Sequence, residues 1–126
     1  MKSITLKPEI NELHTLNEFI LSELHQENIE VNLIVEELFV NIVNYSKTEF
    51  IRVNLEYEKP TLTLEFIDNG IEFNPILKKD PELPENIEEA QVGGLGIFFA
   101  KQMSDELEYH YENGENHLII IKNVEL

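Results

Sequence analysis

Glu30-Val31-Asn32-Leu33-Ile34-Val35-Glu36-Glu37-Leu38-Phe39-Val40-Asn41-Ile42-Val43-Asn44-Tyr45 is the stretch around which the rest of the chain is organised. At about 100° per residue on an α-helix, Val31, Ile34, Val35, Leu38, Phe39 and Ile42 fall on one broad face, wide enough to dock on a sheet. Glu37, Asn41 and Asn44, at i, i+4 and i+7, form a narrow polar stripe on the other side. Leu33 and Val40 border it along one edge and Ile34 along the other. A polar stripe with apolar borders suits the wall of a pocket; the competing reading is an amphipathic helix whose Glu and Asn are simply solvated. Asn41 lies one turn beyond Glu37, so the two side chains can converge on one small ligand, whereas Glu36 is rotated away by about 100°.

A chain of 126 residues with 42% hydrophobic residues fits one domain with a single core, expected over residues 1–126. Cysteine is absent, which excludes disulfides, thiolate metal sites and a cysteine nucleophile. No segment approaches the roughly 20 apolar residues that cross a bilayer, and the expectation is a soluble cytoplasmic protein without a membrane partner. Twenty-five acidic residues against nine basic ones give a formal charge of −16, which repels nucleic acid and favours a basic protein surface as partner.

Ser3 to Leu6 alternates as a short strand. Pro8 suits the first turn of a helix, and Ile10, Leu13, Leu16, Ile20 and Leu24 carry its apolar spacing to about Gln26; His14 and His25 find no partner and are expected at the surface. Two alternating runs, Ile51 to Tyr57 and Thr61 to Phe66, are separated by Glu58-Lys59-Pro60 and read as an antiparallel hairpin. The second run leads into Asp68-Asn69-Gly70, which is either an ordinary turn or a carboxylate projecting from the sheet's end into a cavity, with Gly70 permitting close approach. Residues of about 74–92 are rich in proline and charge and read as a lid over a binding site. Gly93-Gly94-Leu95-Gly96 then opens onto an apolar helix, Ile97 to Met103, where free backbone amides can hold an anion. Its spacing matches neither the dinucleotide fingerprint nor the P-loop. Asn113-Gly114 marks a closing hairpin in which Ile119 and Ile121 are expected to face the core. His110 and His117 lie on its opposing strands; without a carboxylate at a fixed spacing, a metal site is not expected there.

In this order, a Glu-x-x-x-Asn stripe, an Asp-x-Gly at a strand end and a glycine-rich loop after a long lid resemble the GHKL (Bergerat-fold) ATPases. Within them the chain is similar to the small anti-sigma factor serine/threonine kinases, over about Ser3 to Lys122. The resemblance implies an α/β two-layer sandwich, with a mixed but mostly antiparallel sheet of about five strands and three helices on one face. It implies ATP and Mg²⁺ as cofactors, with Glu37 polarising the attacking hydroxyl, Asn41 ligating Mg²⁺ and Asn44 beside it in the nucleotide site. Asp68 would accept from the adenine amine with Gly70 beside the ring, and the amides of Gly93, Gly94, Leu95 and Gly96 would face the phosphates. Lys78, Lys79 and Lys101 are nearby candidates to stabilise charge. The implied activity is phosphorylation of an anti-anti-sigma (STAS-type) protein, with a sigma factor as sequestered client and a homodimer as assembly. The alternatives are a nucleotide-binding partner switch that transfers no phosphate, and the catalytic domain of a sensor histidine kinase, although no helix pair with a suitable histidine precedes this stretch. The chain departs from the family pattern at Glu72, where a second glycine is frequent, and at Tyr45, where a histidine is frequent.

Overall fold

The structure is a computed structural model that describes residues 1–74 and 100–125. Five strands are present: β1 (Lys2–Leu6), β2 (Ile51–Glu58), β3 (Thr61–Asp68), β4 (Glu106–Glu112) and β5 (Glu115–Asn123). They form one sheet in the order β1-β2-β3-β5-β4. The expectation of a mostly antiparallel sheet is met in the fullest sense, because all four pairings are antiparallel. Two helices, α1 (Leu13–Leu24) and α2 (Ile29–Tyr45), lie between β1 and β2 in the chain, and residues 100–103 are helical.

Helix α2 begins where the sequence supplies an N-cap: the Asn28 side chain accepts a hydrogen bond from the Val31 amide at 3.0 Å, satisfying one of the free donors of the first turn. Its apolar face is buried as the periodicity predicts, with Val31, Ile34, Val35, Leu38, Phe39 and Ile42 in the core. Helix α1 differs from the expectation. Pro8 does not open it: Glu9 is extended, a single 3₁₀ turn covers Ile10–Glu12, and α1 starts only at Leu13. There the Glu12 carboxylate reaches back and accepts from the Lys7 amide at 3.2 Å. The helix also stops earlier, at His25, whose φ of 61° takes the chain into the left-handed region while its amide still bonds Leu21.

The helices cover one face of the sheet, where Ile51, Val53 and Leu55 of β2, Leu62, Leu64 and Phe66 of β3, and Leu118 and Ile120 of β5 are buried against them. This corrects the reading of β5. Ile119 and Ile121 were expected inward, but β5 pairs with β3 so that Leu118 stands opposite Phe66 and Ile120 opposite Leu64. Facing residues in a register share a side of the sheet, so Leu118 and Ile120 join the core and Ile119 and Ile121 turn to the other face. The same parity carries two polar residues inward at the ends of the strand, Asn116 and Lys122, which are 5% and 9% exposed. Lys122 resolves its burial through Nζ, which lies 2.8 Å from Glu30 Oε2 on α2 and donates to the Met103 carbonyl at the same distance.

Candidate functional site

At the end of the sheet nearest the C-terminus of α2, the inward-facing residues change from apolar to polar. Asp68 closes β3 and is 4% exposed, and it stands opposite Asn116 on β5 and Ile51 on β2. Three donors converge on its Oδ1: the Ser46 hydroxyl at 2.5 Å, the Gly70 amide at 2.9 Å and the Asn116 side-chain amide at 3.0 Å. Among the described residues no donor reaches Oδ2. A buried carboxylate with one oxygen saturated by these donors is oriented to accept an N–H from a bound molecule at the other.

Asn116 is the hub of this arrangement. Its Nδ2 also donates to the Ile71 carbonyl at 2.9 Å, and its Oδ1 accepts from the Phe73 amide at 3.1 Å and from the Tyr109 hydroxyl. The chain after β3 is therefore tied by one side chain to both β3 and β4. Tyr109 is held above its ordinary pKa, chiefly by desolvation, with the neighbouring charges of Glu72 and Asp68 adding to the rise and its bond with the Phe73 backbone opposing it. Its hydroxyl stays protonated and keeps donating.

Leu38, Asn41, Ile42, Ser46, Asp68, Phe73, Tyr109, Asn116 and Leu118 line one cleft. The walls are apolar and the polar groups gather at one end, an arrangement suited to a flat heteroaromatic ring bearing an amine. Asn41 is buried on α2 and presents its amide to the same cleft. Glu37, one turn earlier, is half-buried and outside the lining. Its carboxyl is pushed above the ordinary value of 4.5, first by desolvation and then by the charge of Glu36. Asn44 is exposed and also outside the lining. The stripe thus divides along its length: Asn41 is buried at the cleft, Glu37 is half-buried and Asn44 is exposed.

Gly70 has a structural role that its sequence context did not reveal. A Cβ there would lie 1.9 Å from Ser46 Oγ and 2.1 Å from the Ser46 carbonyl oxygen, so glycine is what lets the strand end reach the C-terminus of α2. The contact is fixed by the Ile71 amide, which bonds the Ser46 carbonyl at 2.8 Å. Asn69 extends the clamp: its Oδ1 accepts from the Glu49 amide at 2.9 Å and lies 2.7 Å from Thr48 Oγ1. Asp68-Asn69-Gly70 is a turn, and the Asp68 carboxylate that opens it lines the cleft.

Gly93, Gly94, Leu95 and Gly96, the segment of about 74–92 beyond its first residue, and Lys78 and Lys79 lie outside the described residues. Ser46, Phe73, Tyr109 and Asn116 were not anticipated as site residues. Strand alternation puts Asn116 on the same parity as Leu118 and Ile120, but only the register against β3 turns that parity inward.

An α/β two-layer sandwich with an acid-floored cleft between its helix layer and one sheet end is the architecture of a GHKL-type ATPase domain. The model of the histidine kinase-like ATPase domain matches residues 11–122, and the chain belongs to that family. It is similar to the serine/threonine-protein kinase BtrW of Bordetella bronchiseptica, at 28% identity over 94 residues, covering 71% of this chain and 66% of BtrW. The chain therefore spans just under two thirds of that relative's length. A solved chain of the histidine kinase AdeS of Acinetobacter baumannii shares the fold, with a TM-score of 0.53 and 10% identity, the match covering 100% of this chain and 69% of that one. Among the described residues no helix is long and apolar enough to cross a membrane.

Proposed function

We propose that this chain binds ATP with Mg²⁺ and acts as a protein serine/threonine kinase in a partner-switching regulatory system. The observation that carries the reading is the Asp68 carboxylate, pinned through Oδ1 by Ser46, Gly70 and Asn116, at the floor of a cleft that also receives Asn41. An open carboxylate oxygen favours the exocyclic amine of adenine over the carbonyl that guanine presents at the same place. Leu38, Ile42, Phe73 and Leu118 are suited to the faces of the ring.

Asn41 offers a neutral oxygen, which suits a metal that keeps several waters and takes most of its remaining ligands from phosphates. Bound Mg²⁺ would neutralise charge on the phosphates, where a protein of net charge −16 cannot do so through its overall field. Glu37 is the group we assign to the acceptor hydroxyl. Its raised carboxyl is a better proton acceptor than a solvated glutamate, and it stands one helical turn from Asn41. The acceptor is a serine or threonine on a STAS-type anti-anti-sigma protein, and a sigma factor is the client held and released. The likeness to a serine/threonine-protein kinase supports the hydroxyl acceptor; the STAS-type substrate and the sigma factor rest on the resemblance of the sequence motifs.

Calorimetry with Mg-ATP and Mg-GTP tests the nucleotide part: ATP binds and GTP does not, and Asp68→Asn weakens ATP by at least about tenfold, or 1.4 kcal/mol. Incubation with ATP and a STAS-type partner, followed by mass spectrometry, tests the transfer. Glu37→Gln should abolish phosphorylation while ATP affinity is retained. The second reading, a nucleotide-sensing switch without transfer, is favoured by the placement of Glu37 outside the cleft lining. It predicts nucleotide-dependent partner exchange with no phosphorylated product.

A further inference from the structure

The face of the sheet turned away from the helices carries a cluster that the nucleotide cleft does not use. His110 and His117 stand directly opposite one another on β4 and β5. Their rings are stacked at a centroid separation of 4.5 Å with an interplanar angle of 8°. Glu112, two residues beyond His110, shares its side of the strand, and its Oε2 lies 3.7 Å from His110 Nε2. One ligand atom from each of His110, Glu112 and His117 can be chosen so that all lie within 4.8 Å of one another.

What sets this cluster apart from an ordinary polar surface is the support behind His117. That side chain is 15% exposed, and its Nδ1 lies 3.1 Å from Glu65 Oε2 on β3. The other oxygen of Glu65 accepts from the Asn54 side-chain amide at 3.0 Å, so the carboxylate is itself fixed by β2. A carboxylate on Nδ1 places the proton there and leaves the Nε2 lone pair for a metal, the arrangement that orients metal-bound histidines generally. His117 Nε2 already faces Glu115 Oε1 at 3.9 Å, which puts a fourth ligand within reach.

We propose that the β4–β5 hairpin holds one borderline divalent metal ion of the Zn²⁺ type. Its ligands are His110, His117 and Glu112, with Glu65 as the positioning residue for His117. Two imidazoles and a carboxylate are a zinc ligand set with room for a fourth ligand. Hard cations such as Mg²⁺ prefer all-oxygen surroundings, so this site and the nucleotide cleft select different ions. The two lie on opposite faces of the same strands, since Asn116 points to the cleft and its neighbour His117 points away. Zinc donors at about 2.0–2.2 Å from the ion stand closer together than 4.8 Å, so loading draws the ligands inward and breaks the ring stack. His110 and Glu112 can make that movement, being 48% and 64% exposed.

The test is titration of tag-free protein with zinc chloride, followed by calorimetry and by the NMR signals of the histidine rings. Binding of one equivalent at micromolar concentration, with shifts at His110 and His117, is the expected result. His110→Ala, at an exposed position, should weaken binding more than about tenfold, and Glu65→Gln by roughly 10–100-fold without removing a ligand. His14→Ala should leave it unchanged, although His14 lies 3.0 Å from Glu18 on α1. Zinc binding that survives His110→Ala and Glu65→Gln undiminished, or no binding at micromolar zinc, overturns the proposal.

Discussion

Asn116→Ala is the substitution that most directly probes how the cleft is built. The side chain is 5% exposed and makes four hydrogen bonds: to Asp68, to the Ile71 carbonyl, from the Phe73 amide and from the Tyr109 hydroxyl. Each is worth about 0.5–1.5 kcal/mol net. Water can replace part of what Ile71 and Phe73 lose, since both are exposed. The expected loss is about 2–4 kcal/mol, a large share of the roughly 5–15 kcal/mol typical of a domain. Urea denaturation should show it as a lower midpoint at unchanged slope. The variant should also lose nucleotide affinity by at least about tenfold, because Asp68 then keeps only Ser46 and Gly70 to hold its orientation. A variant within about 0.5 kcal/mol of the native protein and with native affinity would show that Asn116 does not position Asp68.

Three further outcomes follow from the same geometry. Gly70→Ala forces a methyl group against the Ser46 carbonyl, 2.1 Å away in backbone that cannot rotate clear, and should cost about 3 kcal/mol by chemical denaturation together with the Ser46–Asp68 bond. Glu37→Gln should leave the protein as stable or slightly more so at neutral pH, by about 0.5 kcal/mol or less given the solvent around the group. Because the folded state binds this proton more tightly than the unfolded chain, native stability falls as pH rises from 4.5 through the raised value, and thermal melts of the variant should lack that fall. Lys122→Met removes the link from β5 to Glu30 and to the Met103 carbonyl and should lower stability by about 1–2 kcal/mol; a variant more stable than native would show that the buried ammonium costs more than its two partners return.

The helices and hairpins could be read from periodicity alone, because an amphipathic element shows in its own sequence which side it buries. Val31, Ile34, Val35, Leu38, Phe39 and Ile42 are the plain case: one spacing, one apolar face, one buried face. Strand β5 shows where that reasoning ends. His117 to Lys122 is apolar at both parities through Leu118, Ile119, Ile120 and Ile121, so the segment itself does not state which parity is inside. Its register against β3 decides, and with it the inward placement of Asn116 and Lys122. The Asp68 carboxylate was visible as a strand-end acid, but its three donors were not, since Ser46 and Asn116 are 22 and 48 residues away along the chain.

The sequence by itself determined the two long helices, the two hairpins and the strongly acidic net charge. Each depends on local spacing or on composition, which folding does not alter. Only the tertiary structure decided that Gly70 is required by contact with Ser46, that Asn44 stays in solvent while Asn41 is buried, and that Glu65 and Glu112 gather around two histidines. Those depend on sheet register and on how the elements pack against one another. One residue's shift in register would turn Asn116 away from the cleft and His117 into it.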